Sequence, residues 1–417
     1  MAAATVMLVM ALAAIMAPVQ GDDCTASVNE GRDEARYWQA QLGVAAVRQD
    51  PVQVARDLAI VNGMFFDIAN VLSGNPHAPA FTTPTVPPSS SCLHVNLTLL
   101  IALSNLQNLL TSNNFPTLIQ NRLGNFPPNY ADVFPGEVAL GESIAQYYNG
   151  IRLHDATCLA GIAYPVTGKL GFGQFSSGAS PAPPAMCGSI MFATGTSSES
   201  MFASSGAVPP PAFGSDAFQW SMIKSQAFGS IEEPQDANQT EVAAVWYLGP
   251  NTLGPAAIWI RIAADFMSAL DPPLALADEA RVYWKVSEAL ADAGIMTRYA
   301  QVKFNSWNPQ QAIASQPGLS LWRSRLLTPT DVPSFVSMHT AFAGAASGVL
   351  SRLFPDARRV VVNGPAVQFA PHVFHNFSEA ADEVVTANLY QGIHFDFDAI
   401  AGLTVGNAVA ANVNALP

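Results

Sequence analysis

Apolar residues return every three to four positions along most of this chain, the period of one face of an α-helix. The pattern is clear in 32–50, RDEARYWQAQLGVAAVRQD, and in 51–72, PVQVARDLAIVNGMFFDIANVL. It continues in 91–112, SCLHVNLTLLIALSNLQNLLTS, and in 136–161, GEVALGESIAQYYNGIRLHDATCLAG. Pro51 stands where a first-turn proline is tolerated, because its missing N–H would have no intrahelical partner. Short Pro, Gly and Asn clusters separate the segments. Helical periodicity returns at 240–249 and runs through 254–270, 274–304, 333–350, 377–390 and 398–413. No strand alternation extends beyond a few residues. The pattern predicts an all-α fold of mainly antiparallel helices.

Between the two helical stretches the pattern lapses. The runs 176-SSGASPAPPAMCGS-189 and 204-SSGAVPPPAFGS-215 are rich in Ser, Gly, Ala and Pro. Residues 165–236 therefore read as a long surface connection. This divides the chain into an N-terminal helical bundle over 22–164 and a C-terminal one over 237–417. Residues 1–21 form an apolar run ending in small residues, without Lys or Arg near the start. They read as a signal peptide, and the expected destination is secreted, extracellular. No later segment is apolar for long enough to span a bilayer, which predicts a soluble mature protein.

Composition narrows the function classes. Half of the 417 residues are hydrophobic and 12% are charged, so the chain can bury a sizeable core. Its net charge of −13 argues against nucleic acid and against anionic membranes as partners. The four cysteines, Cys24, Cys92, Cys158 and Cys187, are compatible with two disulfides in a secretory setting, with the pairing open. Their spacing does not suit zinc. Asn-X-Ser/Thr sequons stand at Asn96, Asn238 and Asn376.

Two of the histidines have informative surroundings. His339 follows Ser337 by two residues at the mouth of an Ala/Gly-rich helix, in 333-PSFVSMHTAFAGAASGVL-350. His394 lies in 390-YQGIHFDFD-398, where Gly392 and the Asp396/Asp398 pair suggest a turn between helices. Taken alone, Ser337 is a helix N-cap and both histidines are ordinary helix-start or loop residues.

The wider pattern resembles the vanadium-dependent haloperoxidases and type 2 acid phosphatases, one superfamily with a shared oxyanion pocket. Three blocks carry the resemblance in order: 290-LADAGIMTRYAQVKFNSWNPQQAI-313, 322-WRSRLLTPTDVPSFVSMHTAFAGA-345 and 377-FSEAADEVVTANLYQGIHFDFDAIAGLTVGNAV-409. It implies a two-bundle helical fold with the pocket in the C-terminal bundle. It also implies a role for each matching position. His394 would ligate vanadium, or attack phosphorus in a phosphatase. His339 would be the acid–base partner. Ser337 and the amide of Met338 would bond equatorial oxygens. Three cations, one Lys and two Arg, would hold the anion and polarise bound peroxide for halide oxidation.

In this chain those three cation positions fall on Gln301, Asn308 and Asn388, and the glycine of the second block is Met338. Charge-assisted hydrogen bonds contribute roughly 1.5–3 kcal/mol each. Losing three removes on the order of 5–9 kcal/mol if they add, about three to six decades of affinity. Arg298 lies one turn before Gln301 and is placed to reach in. Lys303 is predicted to face away, and Arg323 and Arg325 lie upstream of Ser337. Two function classes stay open. One is an atypical haloperoxidase using vanadate, hydrogen peroxide and halide, or less favoured a phosphatase acting through His394. The other is a non-catalytic secreted glycoprotein with a protein or glycan partner on the same scaffold.

Overall fold

The computed structural model describes residues 24–45, 50–80, 94–106, 110, 115–152, 192–193, 195, 197–249, 252–326, 332–365 and 368–416. The expected leader, the side chains of all four cysteines and the 176–189 run lie outside the described residues.

The first half supplies six helices: α1 (Cys24–Ala45), α2 (Pro51–Leu72), α3 (Val95–Asn105), α4 (Phe115–Leu123), α5 (Tyr130–Val133) and α6 (Pro135–Arg152). Asp50 caps α2 by accepting the Val52 N–H at 3.1 Å, with Pro51 in the first turn. Helix α2 is buried almost all round. The cause is packing on both sides, against α1 and α3 of its own half and along α11 of the other.

The second half contains α9 (Ala237–Val245), α10 (Gly254–Ser268), α11 (Leu276–Phe304), α12 (Pro309–Ala314), α13 (Met338–Leu353), α14 (Phe377–Gln391) and α15 (Asp396–Ala415). A short antiparallel pair, β1 (Val360–Val362) and β2 (His372–Phe374), pairs Val361 with Val373. Helix α13 is the central element, packed against α11, α14 and α15. One apolar core runs from Trp38, Phe65 and Phe66 through Trp259 and Tyr283 to Phe335 and Phe342.

The 165–236 segment is not irregular throughout. Helices α7 (Ser198–Ser204) and α8 (Asp216–Gly229) form within it. Ser197 and Ser215 act as N-caps, accepting the N–H of Ser200 and Phe218. Helix α8 buries Phe218, Met222, Ser225 and Gly229 at helical spacing. Its other face leaves Trp220 and Ile223 exposed, which blurs the amphipathic signal. Phe218 and Met222 join Ala312, Ile313, Trp322 and Phe395 in a second apolar cluster beside the third sequence block.

Candidate functional site

The three sequence blocks meet through backbone and side-chain bonds. Ser306, just after α11, accepts the Ser334 N–H at its carbonyl (3.1 Å) and the Phe335 N–H at its hydroxyl (3.2 Å). The Ser337 N–H then donates to the Asp398 carbonyl at 3.1 Å, joining the start of α13 to the start of α15. Glycines let those helices approach backbone to backbone. A Cβ built on Gly402 would lie 2.4 Å from the Ser337 carbonyl oxygen. One on Gly406 would lie 2.2 Å from the Ala341 carbonyl oxygen. Only hydrogen fits at those points.

His394 is placed by how α14 ends. Gly392 is left-handed, with φ +71°. The Gly392 N–H donates to Leu389 O at 3.0 Å and the Ile393 N–H to Asn388 O at 3.3 Å, a Schellman closure. The reversal drops His394 into the buried corner between α14 and α15. Its Nδ1 lies 3.2 Å from the Ser334 hydroxyl, which itself donates to Asp398 Oδ2 at 2.5 Å. Asp398 Oδ2 also accepts the Phe395 N–H at 3.0 Å, while its Oδ1 is buried without a hydrogen-bond partner. The periodicity and the motif spacing gave no reason to single out Ser334. Its place three residues before Ser337 puts it within reach only once the blocks have met.

His339 stands in the first turn of α13, its ring centroid 6.2 Å from that of His394. Its Nδ1 is buried without a partner. Burial drives both imidazoles toward the neutral form, His339 down to about 4 and His394 to about 3. For His394 the neighbouring His339 adds to the depression, and a bond at Ser334 partly opposes it. Burial has the opposite effect on Asp398, pushing its carboxyl up to about 7.

Ser337 is the N-cap of α13, accepting the Thr340 N–H at 3.4 Å. Its hydroxyl lies 3.4 Å from Asn388 Oδ1 and donates toward it. Asn388 in turn donates its Nδ2 to Val384 O at 2.7 Å, one turn back along α14. Asn308 has become the N-cap of α12, exchanging bonds with Gln311 in a capping box. Gln301 is fully buried on α11, and its Oε1 accepts from Arg298 at 2.9 Å. Met338 opens α13 and joins the apolar core.

The candidate cations have partners of their own. Arg298 reaches toward Gln301, and its second guanidinium nitrogen binds the Asp50 carboxylate at 2.5 Å. Lys303 points outward onto the Tyr299 hydroxyl at 3.0 Å. Arg323 bonds the carbonyls of Ser320 and Trp322, and Arg325 those of Ser230 and Glu233 at the end of α8. The structure thus gathers Ser337, His339, Asn388 and His394, and adds Ser334 and Asp398 to them.

Residues 281–416 match the model of the family described as the VCPO second helical-bundle domain. Among solved structures, a bacterial vanadium-dependent iodoperoxidase superposes with a TM-score of 0.69 at 20% identity, over 91% of this chain and 95% of that one. A bacterial vanadium-dependent chloroperoxidase in its holo form gives 0.62 at 13% identity, over 88% of this chain and 93% of that one. Its apo form gives 0.59 at 12% identity, over 88% and 94% of the two chains. No curated protein matches the chain. Among the described residues no helix is long and apolar enough to cross a membrane. The 281–416 bundle carries the three blocks and the gathered side chains; over those residues the chain is similar to the VCPO second helical-bundle domain, and its all-α fold is like that of the vanadium-dependent haloperoxidases.

Proposed function

We propose that this is a secreted, haloperoxidase-like protein whose oxyanion pocket has become a neutral, internally bonded polar cluster. Halide oxidation by peroxide at a vanadate centre is then strongly impaired or lost. The observation that carries this reading is the Ser337–Asn388–Val384 chain. The Ser337 proton points at Asn388 Oδ1, and the Asn388 amide points back into its own helix at Val384 O. Ser337 and the neutral amide that stands at a cation position thus satisfy each other and the backbone instead of both donating to an anion.

The rest of the cluster fits the same reading. Vanadate is an anion and needs positive charge or free donors around it. His339 and His394 are held neutral, and Asp398 adds a carboxyl beside them. Asn308 spends its side chain capping α12, and the Arg298 guanidinium is neutralised by Asp50. These groups do not fit a tightly held vanadate ion. The shortage of positive charge also weighs against phosphate ester hydrolysis through His394, which needs an oxyanion held in the same place. The polar cluster still ties α13, α14 and α15 together, and Ser306 joins the end of α11 to them. A binding or structural role on this scaffold follows. Secretion rests on the 1–21 leader.

The test is calorimetric titration of orthovanadate into the full-length mature protein, beside His394→Ala. No binding is expected up to millimolar vanadate, and no bromide or iodide oxidation with peroxide. A micromolar dissociation constant that disappears in His394→Ala would overturn the proposal.

A further inference from the structure

The three sequons sit in different surroundings. Asn96 lies inside α3 and is 4% exposed. Its Nδ2, the atom to which an N-glycan is attached, donates to Glu30 Oε2 on α1 at 3.2 Å. Its Oδ1 accepts the Leu97 N–H at 2.8 Å, and Thr98 of the same sequon is fully buried. Asn376 is half-buried at the N-cap of α14, with Oδ1 accepting the Glu379 N–H and Nδ2 lying 3.4 Å from Glu379 Oε1. Asn238 is exposed in the first turn of α9 and makes no side-chain hydrogen bond. The cap of that helix belongs to Asp236, which accepts the Gln239 N–H at 2.8 Å. Asn238 is therefore free of any structural duty.

We propose that Asn238 is an N-glycosylation site of the folded, secreted protein and that Asn96 is not. The inference rests on the secretory reading of the leader. In the transfer, the Asn238 Nδ2 attacks C1 of the first sugar of a lipid-diphosphate-linked oligosaccharide. The N–C1 bond forms, the C1–O bond to the diphosphate breaks, the lipid diphosphate leaves, and the amide proton passes to the transferase or solvent. Transfer precedes folding, so the fold acts afterwards as a filter. A saccharide on Asn96 would have to pass between α1 and α3, where Asn96 Nδ2 meets Glu30, and such chains cannot complete the core. On Asn238 the saccharide projects into solvent. The contact with α14 lies at the other end of α9, where Gln391 donates to the carbonyls of Ala243 and Trp246, both at 2.9 Å.

The experiment is expression of the full chain in a eukaryotic secretory host, once with its own leader and once with a leader known to work there. The protein recovered from the medium is deglycosylated in heavy-oxygen water, and labelled asparagines are located by mass spectrometry. Label at Asn238 and none at Asn96 is expected in either arm. Asn238→Gln and Thr240→Ala should each abolish the Asn238 glycan and its mobility shift. Thr240 is exposed and donates only to Asp236 O, so its loss spares the fold. Label at Asn96, or no label at Asn238, in protein secreted from the working-leader arm would overturn the proposal. Secretion only from that arm would instead sink the native-leader reading while leaving the site assignment tested.

Discussion

Gly402 gives the sharpest mechanical test of how the site is held. An alanine Cβ there would sit 2.3 Å from Thr340 Oγ1 and 2.4 Å from the Ser337 carbonyl oxygen. Ordinary carbon–oxygen contact lies about 1 Å further out, and the Ser337 oxygen is backbone, so no rotamer change relieves it. Either α15 retreats or the first turn of α13 opens. Overpacking of this kind costs about 1–3 kcal/mol, and backbone contact puts it at the upper end. The gain in helix propensity from Gly to Ala offsets about 1 kcal/mol, leaving a net loss of about 2 kcal/mol. Gly150, near the end of α6, is the control, with nothing within 4 Å of its built Cβ. The same substitution there is expected to stabilise by up to about 1 kcal/mol. Urea midpoints at constant slope read both. The refuting result is a Gly402→Ala midpoint equal to or above that of the unmodified protein.

Other consequences follow from the same geometry. Gly392→Ala combines a left-handed φ of +71° with a Cβ 2.2 Å from the Gly229 carbonyl oxygen, whereas Gly74, at φ +80°, has open space around it. Gly74→Ala is expected to cost about 1 kcal/mol from backbone strain alone. Gly392→Ala should cost at least twice that and shift the His394 resonances in NMR spectra; equal losses would show that α8 does not press on the turn. Burial raises Glu288 to about 8, and Asp67 and Asp398 to about 7. The folded state therefore keeps protons that the unfolded chain has released by about pH 5, and stability falls as pH rises through 7 and 8. The neutral imidazoles of His339 and His394 act in the opposite sense, mostly below about pH 6.5, so above pH 7 the carboxyls dominate. A loss of about 2 kcal/mol between pH 7 and 8.5 is expected from urea midpoints, more than halved in Glu288→Gln; a flat profile would contradict the buried carboxyl assignments.

What the sequence determined by itself is what neighbours along the chain decide. The 3.6-residue period predicted helices over 51–72, 254–270, 274–304, 377–390 and 398–413, and α2, α10, α11, α14 and α15 form there with ends within two residues. Helix formation and capping are short-range, so Ser337 as an N-cap and Gly392 as a turn were legible before any tertiary contact. The three blocks likewise brought the fold into view, because their spacing is written along the chain.

The tertiary structure alone decided which partner each polar group takes. Helix α8 escaped notice because it uses two faces. One is buried against the third block, and the other shows Trp220 and Ile223 to solvent inside a Ser/Pro-rich stretch. The spacing put Arg298 near Gln301, but Asp50, 248 positions away, claims its second nitrogen. The Ser334–Asp398 bond and the direction of the Ser337 hydroxyl depend on residues 64 and 51 positions apart. A side chain in a closed core bonds to whatever packing brings within about 3 Å, and that is fixed by where helices cross.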